Sequence, residues 1–342
     1  MITAPTLTRL PVVPRPEKDE RLSSWMHRLA RLYAMPIDAF LEHCGLSGRR
    51  IGELEWRLGA GEGALLARRT GISLDALRAL TFAGIGPHAR LMIATSNRYV
   101  CPHCRAGVNR KTAALPWNLW CGEHQMRFRF KGGGSLQTLM SKPQLMALDR
   151  YARASALRMA DWTRGRDEGA PSIEALLDFL TTRHRKPSPP SLDEQPVLSL
   201  EARRANHAFL TRPIARQALL VIVPEYDRVA PILAKPVPRG LFALAHGSLL
   251  QNYALAVGLG RLSADPAGYA AAVLLASDPE GEERLRETLR AWPLKLRRRI
   301  YGRFRRLRDA QNDAHRDPFA GKRRPVSQFR FTQSHNHARG IS

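Results

Sequence analysis

Cys101-Pro102-His103-Cys104 and Cys121-Gly122-Glu123-His124, sixteen residues apart, constrain this chain more than any other feature. Three of its 4 cysteines fall in this one stretch. A Cys-x2-Cys pair forms a tight knuckle that turns both thiolates to one side. A Cys-x2-His pair on a folded-back loop completes the four ligands that a tetrahedral zinc ion takes. The spacing is that of a zinc ribbon in which one histidine replaces a cysteine. Cys101, Cys104, Cys121 and His124 are therefore the candidate metal ligands, for one zinc ion. Four protein ligands leave no open position for water, so the expected site is structural and not catalytic. Glu123, inside the second pair, is expected to be solvated and not to act as a base.

The formal net charge is +24, with 54 Lys plus Arg against 30 Asp plus Glu. An excess of that size points to a polyanionic partner, nucleic acid first, with an acidic membrane surface or an acidic protein behind it. Arginine outnumbers lysine, and its planar fork suits phosphate. A nuclease or transposase would need clustered carboxylates to hold metal ions. Asp and Glu are scattered here, so no enzyme is expected. The first residues lack the apolar core of a signal peptide. The most apolar stretch, 241–259, is interrupted by His246, Ser248, Gln251 and Asn252, which argues against a membrane span. Metal-type cysteines indicate a reducing cytoplasm.

The predicted fold is mainly α. It comprises an N-terminal helical bundle with a helix-turn-helix-like element (1–95), a small zinc-ribbon module (96–135) and a helical extension (136–182). A linker (183–200) leads to a C-terminal, mostly helical domain (201–308) and a basic disordered tail (309–342). Asp19-Glu20 open the first helix, with Asp19 as its N-cap. Leu22, Trp25, Met26, Leu29 and Tyr33 form its apolar face. Arg21, Arg28 and Arg31 lie on another face, either solvated or in functional contact. A second helix carries Cys44 as a core residue. Residues 64–70 and 74–80 are predicted helices joined by Gly71-Ile72-Ser73, with Ser73 as N-cap and Ile72, Leu77 and Leu80 in the core between them. This is the pattern of a helix-turn-helix. The exposed positions of its second helix, Asp75, Ala76, Arg78, Ala79 and Thr81, make a poor base reader, because an acid opens the helix and one arginine serves it. Arg68, Arg69 and Arg78 are nonetheless candidate nucleic-acid contacts, the first two to phosphate.

Tyr99-Val100 is a short strand into the first knuckle, and Trp117, Leu119 and Trp120 are expected to form the ribbon's small core. Residues 126–131 alternate apolar and basic, the period of a half-buried strand whose basic side faces nucleic acid or solvent. Pro187, Pro189, Pro190 and Pro196 mark the linker. Beyond it, 219–223 is a buried run, strand or helix, and 241–259 and 269–276 are predicted core helices. Residues 282–307 are amphipathic, and Pro293 either kinks this helix or begins a new one. Leu285, Leu289, Trp292, Leu296, Ile300, Phe304 and Leu307 form the apolar stripe. Arg297, Arg298, Arg299, Arg303, Arg305, Arg306 and Arg308 crowd the other faces, and Lys322, Arg323 and Arg324 follow in the tail. So dense a charge of one sign repels itself unless a polyanion is near, which makes these residues candidate nucleic-acid contacts.

Several of these elements converge on one family. Glu20, Leu22, Ser24-Trp25 and Arg28-Leu29-Ala30, then the helix-turn-helix-like pair, then Cys101-Pro102-x-Cys104, Trp117 and Cys121-x-x-His124, resemble in order and distance the TniQ/TnsD family of transposition target-selection proteins. The resemblance covers roughly 10–135, and Leu289-Arg290-Ala291-Trp292-Pro293 is similar to a Trp-Pro element of family C-terminal regions. It implies a non-catalytic, zinc-containing adaptor that links target DNA to an AAA+ ATPase and a DDE-type transposase. Some members bind a DNA site directly and others join an RNA-guided CRISPR complex. Some also carry a second cysteine cluster, which Cys44 alone does not build. A homodimer, no membrane contact and a bacterial, nucleoid-associated location are the accompanying expectations. The alternative weighed is a zinc-stabilised helix-turn-helix transcription regulator.

Overall fold

The computed structural model describes residues 9–95, 98–104, 106–130, 141–185, 215–229 and 237–316. It is mainly helical, as the periodicities require. The first five helices are α1 (Leu22–Leu32), α2 (Ile37–His43), α3 (Ile51–Trp56), α4 (Ala60–Thr70) and α5 (Leu74–Ala79). They close around Leu22, Trp25, Met26, Leu29, Phe40, Leu41, Leu54, Leu66 and Leu77, with Cys44 buried among them. Gly71 leaves α4 at φ 70°, where a side chain is strained, and the Ser73 hydroxyl accepts from the Ala76 amide at 3.3 Å to start α5. Leu10 lies against α4, its amide donating to the Arg69 carbonyl at 2.8 Å.

A 3-10 helix, Pro87–Met92, leads to the knuckle region. There β1 (Tyr99–Val100) pairs antiparallel with β2 (Arg129–Phe130), in the register Tyr99 with Phe130, and α6 (Lys111–Ala114) lies between them in sequence. Next come α7 (Lys142–Thr163) and α8 (Ile173–Thr181). At the start of the expected linker, β3 (Arg183–Arg185) pairs antiparallel with β4 (Ala215–Gln217). The buried run at 219 is a helix, α9 (Leu219–Ile222). The apolar stretch expected as one helix is two, α10 (Phe242–His246) and α11 (Leu249–Ala264). The break is chemical: Ser248 caps α11, exchanging hydrogen bonds with Gln251. α12 (Pro266–Leu275), α13 (Pro279–Leu289) and α14 (Leu294–Arg316) follow. Pro293 separates α13 from α14, and the helix continues beyond Leu307 to Arg316, into the segment expected to be disordered. The rest of that tail, with Lys322, Arg323 and Arg324, lies outside the described residues.

A second, larger core runs from Phe82 to Phe304. The ribbon is not a separate island beside it. Cys101, Trp117, Trp120, Cys121 and Phe128 belong to the same buried cluster as Leu148, Leu176, Tyr253, Leu255 and Trp292. α11 packs along α7, with so little room that a Cβ on Gly260 would sit 2.2 Å from the Tyr151 carbonyl oxygen.

Candidate functional site

The two knuckles bring Cys101, Cys104, Cys121 and His124 together, with all four ligand atoms within 4.8 Å of one another. Cys104 Sγ lies 3.5 Å from Cys121 Sγ, and His124 Nδ1 lies 3.6, 3.4 and 3.6 Å from the sulfurs of Cys101, Cys104 and Cys121. Zinc bonds of about 2.3 Å to sulfur and about 2.0 Å to nitrogen place tetrahedral ligands about 3.5–3.8 Å apart. The donor set therefore suits a tetrahedral ion. Gly107, at φ 80°, turns the chain out of the first knuckle, and Gln125, at φ 51°, does so after the second.

The thiols are electrostatically unequal. Burial works to raise Cys121, but the His124 backbone and ring, the Glu123 backbone and Cys104 outweigh it and bring this thiol down to about 7. Burial, together with the Cys121 and Cys101 sulfurs, pushes Cys104 up to about 12. A cluster that accepts one thiolate and resists the next is what a divalent ion completes. With all four positions taken by protein, such an ion would hold the loops together and would offer no place for a reacting water.

The module is wired to the helices on both sides. Toward the N-terminal bundle, Asp19 sits at φ 61° and its carboxylate accepts from the Thr112 amide at 3.0 Å and hydroxyl at 2.5 Å. Asp19 thus caps α6, while Arg21 holds the N-cap position of α1 with no side-chain capping bond. This corrects the expectation that Asp19 caps the first helix. Glu123 is not simply solvated either: it pairs with Arg110 at 2.9 Å, and Arg110 also pairs with Glu17 at 3.2 Å and donates to the Lys18 carbonyl. Toward the larger core, the Asn252 amide donates to Tyr99 Oη at 2.8 Å, and Arg98 donates to the Leu244 and Ala245 carbonyls. Arg127 pairs with Asp149 and lies over the Tyr253 ring, so this basic position of the 126–131 stretch is internal. Sequence reading missed these contacts because each joins residues far apart in the chain. The signal available was a charge, with no indication of its partner.

The basic candidates separate into classes. Arg69 is 4% exposed, and its guanidinium donates to the His43 carbonyl at 2.7 Å, which takes it out of the exposed set. Arg21 and Arg28, expected on an open face, are consumed as well: Arg21 pairs with Glu55 at 2.5 Å with both side chains buried, and Arg28 pairs with buried Glu20 at 2.7 Å. Arg68 is exposed, and Arg78 is exposed but 3.8 Å from Asp75. Thr81 is buried, its hydroxyl donating to the Arg78 carbonyl, and is no surface position. On α14, Ile300 and Phe304 are buried, Arg297 is half-buried, and Arg303 pairs with Asp265 at 3.2 Å. Arg298, Arg299, Arg305, Arg306 and Arg308 stay exposed, with Lys295 beside them. Arg308 lies over the Phe304 ring. At 100° per residue, Lys295, Arg298, Arg299, Arg305 and Arg306 share one face, about 17 Å long from first to last.

These features define a helical protein in which a Cys3His cluster able to hold a metal ion joins a small bundle to a larger body with an arginine-lined outer helix. The TniQ family model matches residues 11–128, from the lead-in to α1 through the second knuckle. Over those residues the chain is similar to the TniQ family. No curated protein and no solved structure matches the chain. Among the described residues no helix is long and apolar enough to cross a membrane.

Proposed function

We propose that this protein is a non-catalytic target-selection adaptor in transposition, with one structural zinc ion, that grips DNA through the outer face of α14. Its TniQ match supports the transposition role in general. The observation that carries the DNA contact is the α14 face. Lys295, Arg298, Arg299 and Arg305 have no carboxylate partner among the described residues, in a chain of formal charge +24. Cations left unpaired on one face attract phosphate and read no sequence. The adaptor would present target DNA, or an RNA-guided complex, to an AAA+ ATPase and a DDE-type transposase, which are the partners this family reading brings.

A sequence-reading transcription regulator built on α4 and α5 fits less well. α5 has six residues, and its exposed positions are Asp75, Ala76, Arg78 and Ala79, with the arginine drawn toward the acid. Lys111 donates to the Ala79 carbonyl, so the end of α5 is also tied to the metal module.

The test is a salt titration of duplex DNA binding by the wild-type chain and by the combined Arg298→Glu, Arg299→Glu, Arg305→Glu variant. The variant should bind more weakly on every sequence tried. Its log–log salt slope should fall by about 0.9 for each phosphate that the variant no longer neutralises. An unchanged slope and affinity would refute the α14 contact.

A further inference from the structure

The N-terminal bundle carries a groove that none of these roles uses. It encloses about 590 Å3 between α1, α3, the 3-10 helix and the loop after the first knuckle. It shares Gly52, Trp56 and Arg90 with a second depression of about 480 Å3 beside Arg50 and Arg57. The cations at its floor are spent, Arg21 on Glu55 and Arg28 on Glu20. Those at its edges are not: Arg31, Arg50, Arg57 and Arg90 have no carboxylate partner among the described residues, and Glu53 stands against them.

Apolar side chains line the same groove beside these charges. Trp56 is half-buried, stacked on Phe82 at 4.9 Å, and the Arg90 guanidinium lies 5.2 Å from its ring centroid. Ile51 is half-buried beside it, and Leu91 is 79% exposed. An arginine whose guanidinium lies over an indole can still offer N–H groups to a carboxylate. Tryptophan and arginine are residue types that protein-binding hot spots favour, and exposed Leu91 adds apolar area to the same groove.

We propose that this groove docks an acidic segment of a partner protein, with one large apolar side chain seated against Trp56 and Leu91 and carboxylates on Arg31 and Arg90. Nucleic acid suits it less. Glu53 sits on its path, the depression is local, and the exposed Leu91 offers nothing to a phosphate backbone. The docking goes beyond the DNA reading and stands or falls independently of it.

The probe is a fluorescein-labelled Glu-Asp-Glu-Leu-Asp-Glu-Asp peptide, with a thymidine oligonucleotide of matched charge as comparison, titrated by anisotropy into the full zinc-loaded chain. The test variant is Gly52→Glu. A Cβ there meets nothing within 4 Å, so the fold should hold, and an unchanged thermal melt checks this. The added acid should weaken the peptide about tenfold and leave the oligonucleotide unchanged. Replacing the peptide's leucine by serine should also weaken binding to the wild-type chain, and Arg90→Ala should reproduce the peptide loss. Peptide affinity that is absent, indifferent to Gly52→Glu, or indifferent to the leucine would overturn the proposal. An oligonucleotide loss as large as the peptide's would overturn it in favour of a nucleic-acid groove.

Discussion

Glu55 shows how much of the bundle's stability rests on charges that a sequence presents as surface. It is 2% exposed and takes Arg21 Nε at 3.0 Å, while accepting the Ser23 hydroxyl at 2.7 Å. Arg21 also donates to the Ala94 and Thr95 carbonyls, so the pair ties α1 and α3 to the segment entering the metal module. Glu55→Ala leaves a buried guanidinium without its counter-charge and should cost about 3–5 kcal/mol in urea unfolding. Arg21→Met with Glu55→Leu should recover much of that, because removing both charges also removes the desolvation cost. A single-variant loss below about 1 kcal/mol would show the pair to be an ordinary surface bridge. The Cys101, Cys104, Cys121 and His124 cluster could be read directly from sequence because its spacing is local: each knuckle is complete within four residues. The Arg21–Glu55 pair could not, since its partners are 34 apart and both look like exposed helix positions.

At the scale of elements, periodicity pointed to α1, α2, α4 and α5, while α3 and α6 went unexpected. Gly71 and Ser73 mark the α4–α5 turn, and Ser172 starts α8 by accepting from the Ala175 amide. Where polar residues sat inside an apolar run, their role as caps was hidden, and α10 and α11 merged into one expected helix. Close approach was hidden as well. Gly260 is an ordinary residue in α11 until the Tyr151 backbone is seen against it. Gly260→Ala raises helix propensity yet forces a methyl group onto a backbone oxygen that cannot swing aside. The expected result is a net loss of about 1–3 kcal/mol from separating α7 and α11. A thermal melt checks it, and a stabilised variant would contradict the packing described.

The whole molecule turns on the module that joins its two cores. Hydrophobic patterning gives each helix an inward face but does not say which faces meet. The merging of Trp117, Trp120 and Phe128 with the helices from Leu148 to Trp292 was therefore not legible in the sequence. The family match ends at residue 128, whereas this core runs on to Phe304. The consequence is that metal loss should propagate in both directions: through Glu123, Arg110 and Asp19 to the bundle, and through Tyr99, Asn252 and Arg127 to the larger body. Structural zinc sites of this kind contribute about 10–16 kcal/mol of apparent binding free energy at neutral pH. The most direct test is calorimetric unfolding of the full chain before and after its metal is stripped by a chelator, with zinc quantified in the starting sample. One zinc per chain and loss of the cooperative transition across both bodies, restored by adding zinc back, is the predicted result. A metal-free chain that melts as the untreated protein does would contradict the account.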